Sequence, residues 1–170
     1  MLISTLKEHI MRKNWLFATA FAVALLSTNV QAQSCRSSDA DKTAVIDALR
    51  TLYAGATVDD MAKMHSVTAS TFYGFDGGHQ YTSLDDLMKP VKAQQDQGVK
   101  YIWNVTAPKV TIHCNEAWIT YVNEGSFQEP GSAAPTPSQW LESAVLEKQS
   151  GAWKILFFHS THVPAPTPAK

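Results

Sequence analysis

The sequence predicts an α+β domain in which N-terminal helices lie against a curved antiparallel sheet and leave a central pocket. Three observations carry this. Apolar residues repeat at helical spacing in the first half of the chain, and from Val99 onward the pattern changes to long alternating runs. Helices followed by a run of strands segregate onto one face of a sheet. The third observation is the stretch from Trp140 to Pro164. It reads as two strands rich in Val, Ile, Leu, Phe and Trp, joined by a tight turn at Gln149-Ser150-Gly151.

The elements follow in order. Arg12 and Lys13 precede an apolar run from Trp15 to Leu26, and Val30-Gln31-Ala32 follows. This is the pattern of an export signal, with cleavage expected after Ala32. The run is shorter than the ~20 residues of a membrane-spanning helix, and a retained anchor is the less favoured reading. Met11 is a plausible start. The predicted organisation is a signal peptide over 1–32, one domain over 33–163 and a disordered tail over 164–170. The implied location is periplasmic or secreted.

A first helix is expected over 38–54, capped by Ser38 or Asp39, with Ala44, Val45, Ala48, Leu49, Leu52 and Tyr53 on its apolar face and Gly55 at its end. Thr57 is expected to cap a short second helix in which Met61 and Met64 face inward. Residues 71–81 read as a short strand pair turning at Gly77-Gly78. Ser83 starts a third helix with Leu84, Leu87, Met88 and Val91 on one face, which Pro90 must kink or shorten. Pro108 marks an edge or bend. A hairpin is expected across Asn115-Glu116, and residues 129–138 read as a Pro/Gly/Ser-rich loop.

The 170 residues are 45% hydrophobic and 17% charged, with a formal net charge of -1. No basic excess points to nucleic acid. No phosphate-binding glycine loop, dinucleotide fingerprint, nucleophilic triad or paired-cysteine motif is present, so no cofactor is expected. Cys35 and Cys114 either form a disulfide, closing a loop of about 80 residues for roughly 4 kcal/mol, or remain separate, with Cys114 a small core residue.

The segment Glu142–Thr161 resembles the C-terminal hairpin of the SnoaL-like branch of the NTF2-like, or cystatin-like, superfamily. The residues concerned are Lys148, Gly151-Ala152-Trp153, Ile155-Leu156 and His159-Ser160; Asn115-Glu116-Ala117-Trp118 resembles the preceding turn. The resemblance implies a cone-shaped pocket, a small apolar or aromatic ligand and a homodimer formed through the sheet. It also implies cofactor-independent isomerase, dehydratase or cyclase chemistry, or else a non-catalytic binding or interaction module. Steroid-isomerase-like members carry an Asp base after the second helix, assisted by a Tyr and a protonated acid, a site that is itself a standard worked example of tuned acidity. Here that position falls near Phe72 or Tyr73. Asp76 lies a few residues on and serves either as a base or as a turn residue before Gly77-Gly78.

His159 shares strand parity with Trp153, Ile155 and Phe157. If that parity faces the cavity, His159 lines it and can carry a proton near neutral pH; otherwise it is a structural or interface residue. Tyr73, Trp103, Tyr121 and Trp140 are candidate ligand-binding aromatics, with core packing the alternative for each, as it is for Tyr81. Trp118 reads as core or interface. Glu142 shares parity with Trp140 and Ala144. It is either a buried acid of raised pKa or a surface residue. On a strand His159 and His162 point to opposite faces, and His65, His79 and His113 complete no zinc motif, so no metal site is expected.

Overall fold

The computed structural model describes Cys35 and residues 37–164. The signal peptide, its cleavage after Ala32 and residues 165–170 of the tail lie outside the described residues. The described chain runs α1 (Asp39–Ala56), α2 (Met61–His65), β1 (Thr68–Asp76), β2 (His79–Tyr81), α3 (Leu84–Asp96), β3 (Lys100–Ile102), β4 (Val105–His113), β5 (Glu116–Gln128), β6 (Thr136–Gln149) and β7 (Ala152–Val163).

Helix α1 begins in a full capping box: Ser38 accepts from the Asp41 N–H, and the Asp41 carboxylate accepts from the Ser38 N–H. Asp41 also pairs with Lys148 at 2.7 Å and accepts from Trp153 Nε1 at 3.4 Å, while the Lys148 ammonium lies 5.5 Å from the centre of the Trp153 ring. The residues that made the last hairpin recognisable therefore fasten it to the start of α1. A disulfide between Cys35 and Cys114 ties the chain just before α1 to the β4–β5 turn.

The helix runs past Gly55 to Ala56. Gly55 sits inside it because a Cβ there would come 2.7 Å from Met64 Cγ. Ala44 is exposed rather than part of the apolar face. Helix α2 is capped by Asp60, not Thr57. Helix α3 continues through Pro90 to Asp96; the proline costs an interior hydrogen bond, and Leu84, Leu87 and Met88 still bury their side of the helix.

The seven strands form one curved, unclosed sheet in the order β2-β1-β7-β6-β5-β3, with β4 also paired to β5. It is mixed rather than wholly antiparallel. Strand β1 lies parallel to β7, a pairing between the first and last long strands that local patterning does not encode. The β6–β7 turn is the two-residue Ser150-Gly151, both at positive φ, which matches the twist of a hairpin. The β4–β5 turn falls at Cys114-Asn115, one residue earlier than expected. Pro108 lies in an irregularity of β4 between Thr106 and Lys109, beside Ala107 at φ 46°, where the missing N–H breaks no regular ladder.

The core joins Val45, Leu49 and Leu52 of α1 and Met64 of α2 to the concave face of the sheet, where Ile119, Leu146 and Ile155 are fully buried. One irregularity decides what else faces inward. The β6–β7 register runs from Val145↔Phe157 directly to Leu146↔Ile155, so Leu156 is an extra residue in β7. Before it, Trp153 and Ile155 are buried; after it, Phe158 and Ser160 are buried while His159 is exposed. The bulge shifts the inward-facing set by one residue.

Candidate active site

The concave face, α1, α3 and the β1–β2 turn enclose a cavity of about 270 Å³. Its walls are apolar and aromatic. Leu52 and Ala56 come from α1, Leu84, Leu87, Met88 and Val91 from α3, and Tyr81, Tyr101, Trp103, Trp140 and Phe158 from the sheet and its connections. Tyr101 and Trp103 stack with ring centres 5.0 Å apart and planes 7° apart, and Trp103 lies 5.9 Å from Tyr53.

The polar side of the cavity is a connected set of side chains. Glu142, on β6, is 6% exposed. Ser160 on β7 donates to its Oε1 at 3.0 Å. Its Oε2 accepts from the Tyr53 hydroxyl of α1 and from Asn123 Nδ2 of β5 at 3.2 Å. The Asn123 amide cannot turn over, because its Oδ1 already accepts the Asn104 N–H at 3.0 Å. Tyr121 lies behind Tyr53 with the two hydroxyl oxygens 3.0 Å apart. Since the Tyr53 proton goes to Glu142, Tyr121 donates to Tyr53.

Burial pushes the Glu142 carboxyl above its ordinary range, against the opposing pull of its hydrogen bonds, those from Tyr53 and Ser160 foremost. Burial also drives Tyr53 and Tyr121 well above the usual phenol range, with the neighbouring Glu142 adding to the effect. Both phenols therefore keep their protons and act as donors.

Asp76, the last residue of β1, also lines the cavity. It is paired in register with Ser160, so the Ser160 hydroxyl stands between the two carboxyls. Burial raises its pKa; hydrogen bonding to Ser160 and the Gly77 N–H, and the nearby His159 and His162 rings, oppose the rise. Close strand contact holds this geometry. A Cβ at Gly74 would come 2.7 Å from the Phe158 carbonyl oxygen, so any larger residue there would push β1 away from β7.

Of the residues singled out from sequence, the structure brings Asp76, Trp103, Trp140 and Glu142 to the cavity. Tyr121 stands behind it, reaching Glu142 through Tyr53. His159 and Tyr73 do not face it. His159 is exposed on the outer face, its ring 6.4 Å from Phe75, because the Leu156 bulge reverses the parity on which its inward placement depended. Tyr73 is 43% exposed and packs on Phe157 on that same outer face; the inward neighbours on β1 are Phe72 and Gly74. His162 falls on the inner side of β7, its ring 5.6 Å from Trp140. Tyr53, Asn123 and Ser160 were not singled out. Asn123 carried a usable signal, a polar residue continuing the buried alternation Ala117, Ile119, Tyr121. Tyr53 was visible only as part of an apolar helix face. Among the described residues, no group of three His, Cys, Asp or Glu side chains gathers to hold a metal ion.

With this geometry in place, comparisons with known proteins give a consistent picture. The profile of the SnoaL-like domain matches residues 43–166. No curated protein sequence matches the chain. Among solved structures, a candidate dehydratase of the NTF2-like family from Streptomyces avermitilis is 14% identical, with TM-score 0.62, over 75% of this chain and 99% of its own. A ketosteroid isomerase-like protein from Erwinia carotovora atroseptica is 12% identical, with TM-score 0.59, over 75% and 100%. The association domain of C. elegans CaMKII is 18% identical, with TM-score 0.60, over 72% and 95%. At these identities the likeness is one of fold.

Proposed function

This chain belongs to the SnoaL-like family, and we propose that it is an exported protein that binds a small apolar or aromatic molecule in its cavity and moves a proton on it. The observation that carries this is the Asp76–Ser160–Glu142 arrangement on an otherwise apolar cavity. Glu142 is held by three donors, from Tyr53, Asn123 and Ser160, and is fixed in place. Asp76 is the less encumbered carboxyl and the one that can reach a ligand. Its raised pKa brings it closer to neutrality, where a carboxyl exchanges protons most effectively. The Tyr53 phenol and the Ser160 hydroxyl supply polar contacts at the same wall. Isomerisation, dehydration and cyclisation all need a proton moved at a carbon or oxygen of a desolvated substrate, and this wall has the groups for it. The dehydratase and isomerase-like proteins of the same fold support the reading.

Native mass spectrometry of freshly isolated protein identifies the co-purifying ligand. Incubating that ligand with the protein in D₂O then tests the chemistry. Deuterium enters the ligand with the unaltered protein and at least about a hundredfold more slowly with Asp76→Asn. Binding without exchange leaves a carrier rather than an enzyme.

Export is supported by the apolar run from Trp15 to Leu26 and by the disulfide, a bond that persists in oxidising compartments. A mature N-terminus at Gln33 is the expected result of N-terminal sequencing.

A second reading, self-association through the sheet, has its own observation. The outer face exposes Leu141 (54%), Trp118 (50%), Tyr73 and Phe75, an apolar surface of the kind that marks interfaces. The association domain of similar fold supports it. The expected form is a homodimer.

A further inference from the structure

We propose that the ligand of this cavity is a small organic ammonium, an apolar or aromatic body carrying a protonated amine that sits between the Asp76 carboxylate and the aromatic rings. The inference rests on the cavity being a ligand site. It names the class of molecule that the site takes.

The lining of the cavity is one-sided in charge, with the His159 and His162 rings standing outside it but close enough to act on Asp76. Asp76 and Glu142 line it, and among the described residues no Lys, Arg or His does. On and next to the helices several exposed or half-buried acids meet cations: Asp39 with Lys42, Asp41 with Lys148, Asp47 with Arg50, Asp59 and Asp96 with Lys92, and Asp86 with Lys89, all within 3.2 Å. Asp76 and Glu142 form no such pair among the described residues. Glu142 is satisfied by neutral donors from Tyr53, Asn123 and Ser160. Asp76 has the Gly77 N–H, while the one Ser160 proton is already given to Glu142, so it is the acid with room for a cationic donor.

The rings supply the rest of an ammonium site. Tyr53, Tyr101, Trp103 and Trp140 all line the cavity, and a cation over such faces is attracted by the ring quadrupole, most strongly where water is excluded. A carboxylate or phosphate ligand would instead meet two acids with no counter-charge. A neutral ligand would fit the walls but leave Asp76 without an ionic partner. An ammonium supplies that partner, and one carboxylate oxygen can hold it while the other remains available for proton transfer.

The test uses three probes of one shape: 2-phenylethylammonium, 2-phenylethanol and phenylacetate, titrated by calorimetry into the unaltered protein. The ammonium is expected to bind at least about tenfold more tightly than the alcohol, with phenylacetate weakest. Its affinity should rise as the pH is raised from the acid side and the Asp76 and Glu142 carboxyls, both held above their ordinary range by burial, ionise; the His159 and His162 rings also act on Asp76. Binding should release protons, seen as a dependence of the heat on buffer. Asp76→Asn should abolish the advantage of the ammonium and leave the affinity for the alcohol intact. If that variant fails to fold, the pH series on the unaltered protein carries the same test. Equal or tighter binding of the alcohol overturns the ammonium inference and leaves the cavity a ligand site. Failure of all three probes to bind overturns both.

Discussion

The two faces of the β6–β7 hairpin are built from the same short stretch of chain and have opposite properties. Inward, Glu142 and Ser160 meet across the ladder, buried and hydrogen-bonded, with Ala144, Leu146 and Phe158 beside them. Outward, Leu141, Ser143 and Val145 run alongside Phe157 and His159, with Tyr73 and Phe75 of β1 adding their rings. The inner face places acids in an apolar setting. The outer face places large apolar groups in water. Each is unfavourable for an isolated domain, since buried carboxyls are costly to ionise and exposed aromatics to hydrate. The inner cost has an internal answer in the donors Tyr53, Asn123 and Ser160. The outer one has none among the described residues, and this difference separates a site from a surface.

The contrast is sharpest in packing. Ile155→Ala, on the fully buried side, is expected to destabilise the fold by about 3 kcal/mol, as for other truncations of large aliphatic core residues. Leu141→Ala on the outer face should shift the monomer by no more than about 0.5 kcal/mol. Urea denaturation at low protein concentration checks both. Similar losses at the two positions would break the distinction.

Next in size is the outer face as an interface. Leu141→Asp places a charge within an apolar contact and should weaken a dimer by roughly 3 kcal/mol, about a hundredfold or more in dissociation constant. Light scattering coupled to size exclusion should then report a monomer with unchanged circular dichroism. If the unaltered protein is already monomeric at high concentration, the exposed rings must be explained another way.

Within the polar wall, Tyr53→Phe removes the donor to Glu142 and the acceptor of Tyr121 together. A loss of about 1–3 kcal/mol is expected from leaving buried groups unpaired, against a negligible change for Tyr73→Phe on the outer face. Thermal unfolding of the pair, monitored side by side, distinguishes them.

The smallest expected effect is on pH dependence. Asp76 and Glu142 both titrate above their unfolded values because burial penalises the charged form. Their folded forms hold protons more tightly, so this contribution to stability is complete below the unfolded carboxylate range, about pH 4. It is lost as pH rises through the elevated folded values. Glu142→Gln and Asp76→Asn should therefore flatten the fall in stability on going from acid toward neutral pH. Asp41 has the opposite sign. Its pairing with Lys148, and its bonds to Ser38, hold it below the usual range, so its contribution is present above that range and disappears on acidification. Denaturation midpoints measured across the acid range, with Asp41→Asn alongside, separate the two slopes.

The extent to which the sequence revealed this arrangement varied with how local the determining physics is. Capping by Ser38 and Ser83, the buried face of α1 and the turn at Ser150-Gly151 depend on a few neighbouring residues, and each was legible. The alternation Trp140, Glu142, Ala144 correctly tied the acid to an apolar parity, although its facing remained open without the strands on either side. The parallel docking of β1 on β7 depends on residues more than eighty positions apart. So does the Tyr53–Glu142 bond, which joins a helix near the start of the domain to a strand near its end. Neither leaves a local trace. The inward alternative for His159 fails for a different reason. Its strand was read as one regular alternation, and nothing in Ile155-Leu156-Phe157 announces which of three large apolar residues has no counterpart across the ladder.

Leu156 therefore acts as a phase shift. On either side of it the strand repeats with the same period, but the two trains are half a cycle apart. Removing that one residue would set Phe157 directly after Ile155 and leave one regular alternation, with Phe157 and His159 still outward and Phe158 and Ser160 still inward. The same sequence holds a second wiring: were Leu156 drawn into the ladder instead of standing outside it, every later residue would slip by one and the imidazole of His159 would come opposite Glu142 in place of the Ser160 hydroxyl. The identity of the polar wall is thus set by how the strand accommodates one surplus residue as much as by the kinds of residue it contains.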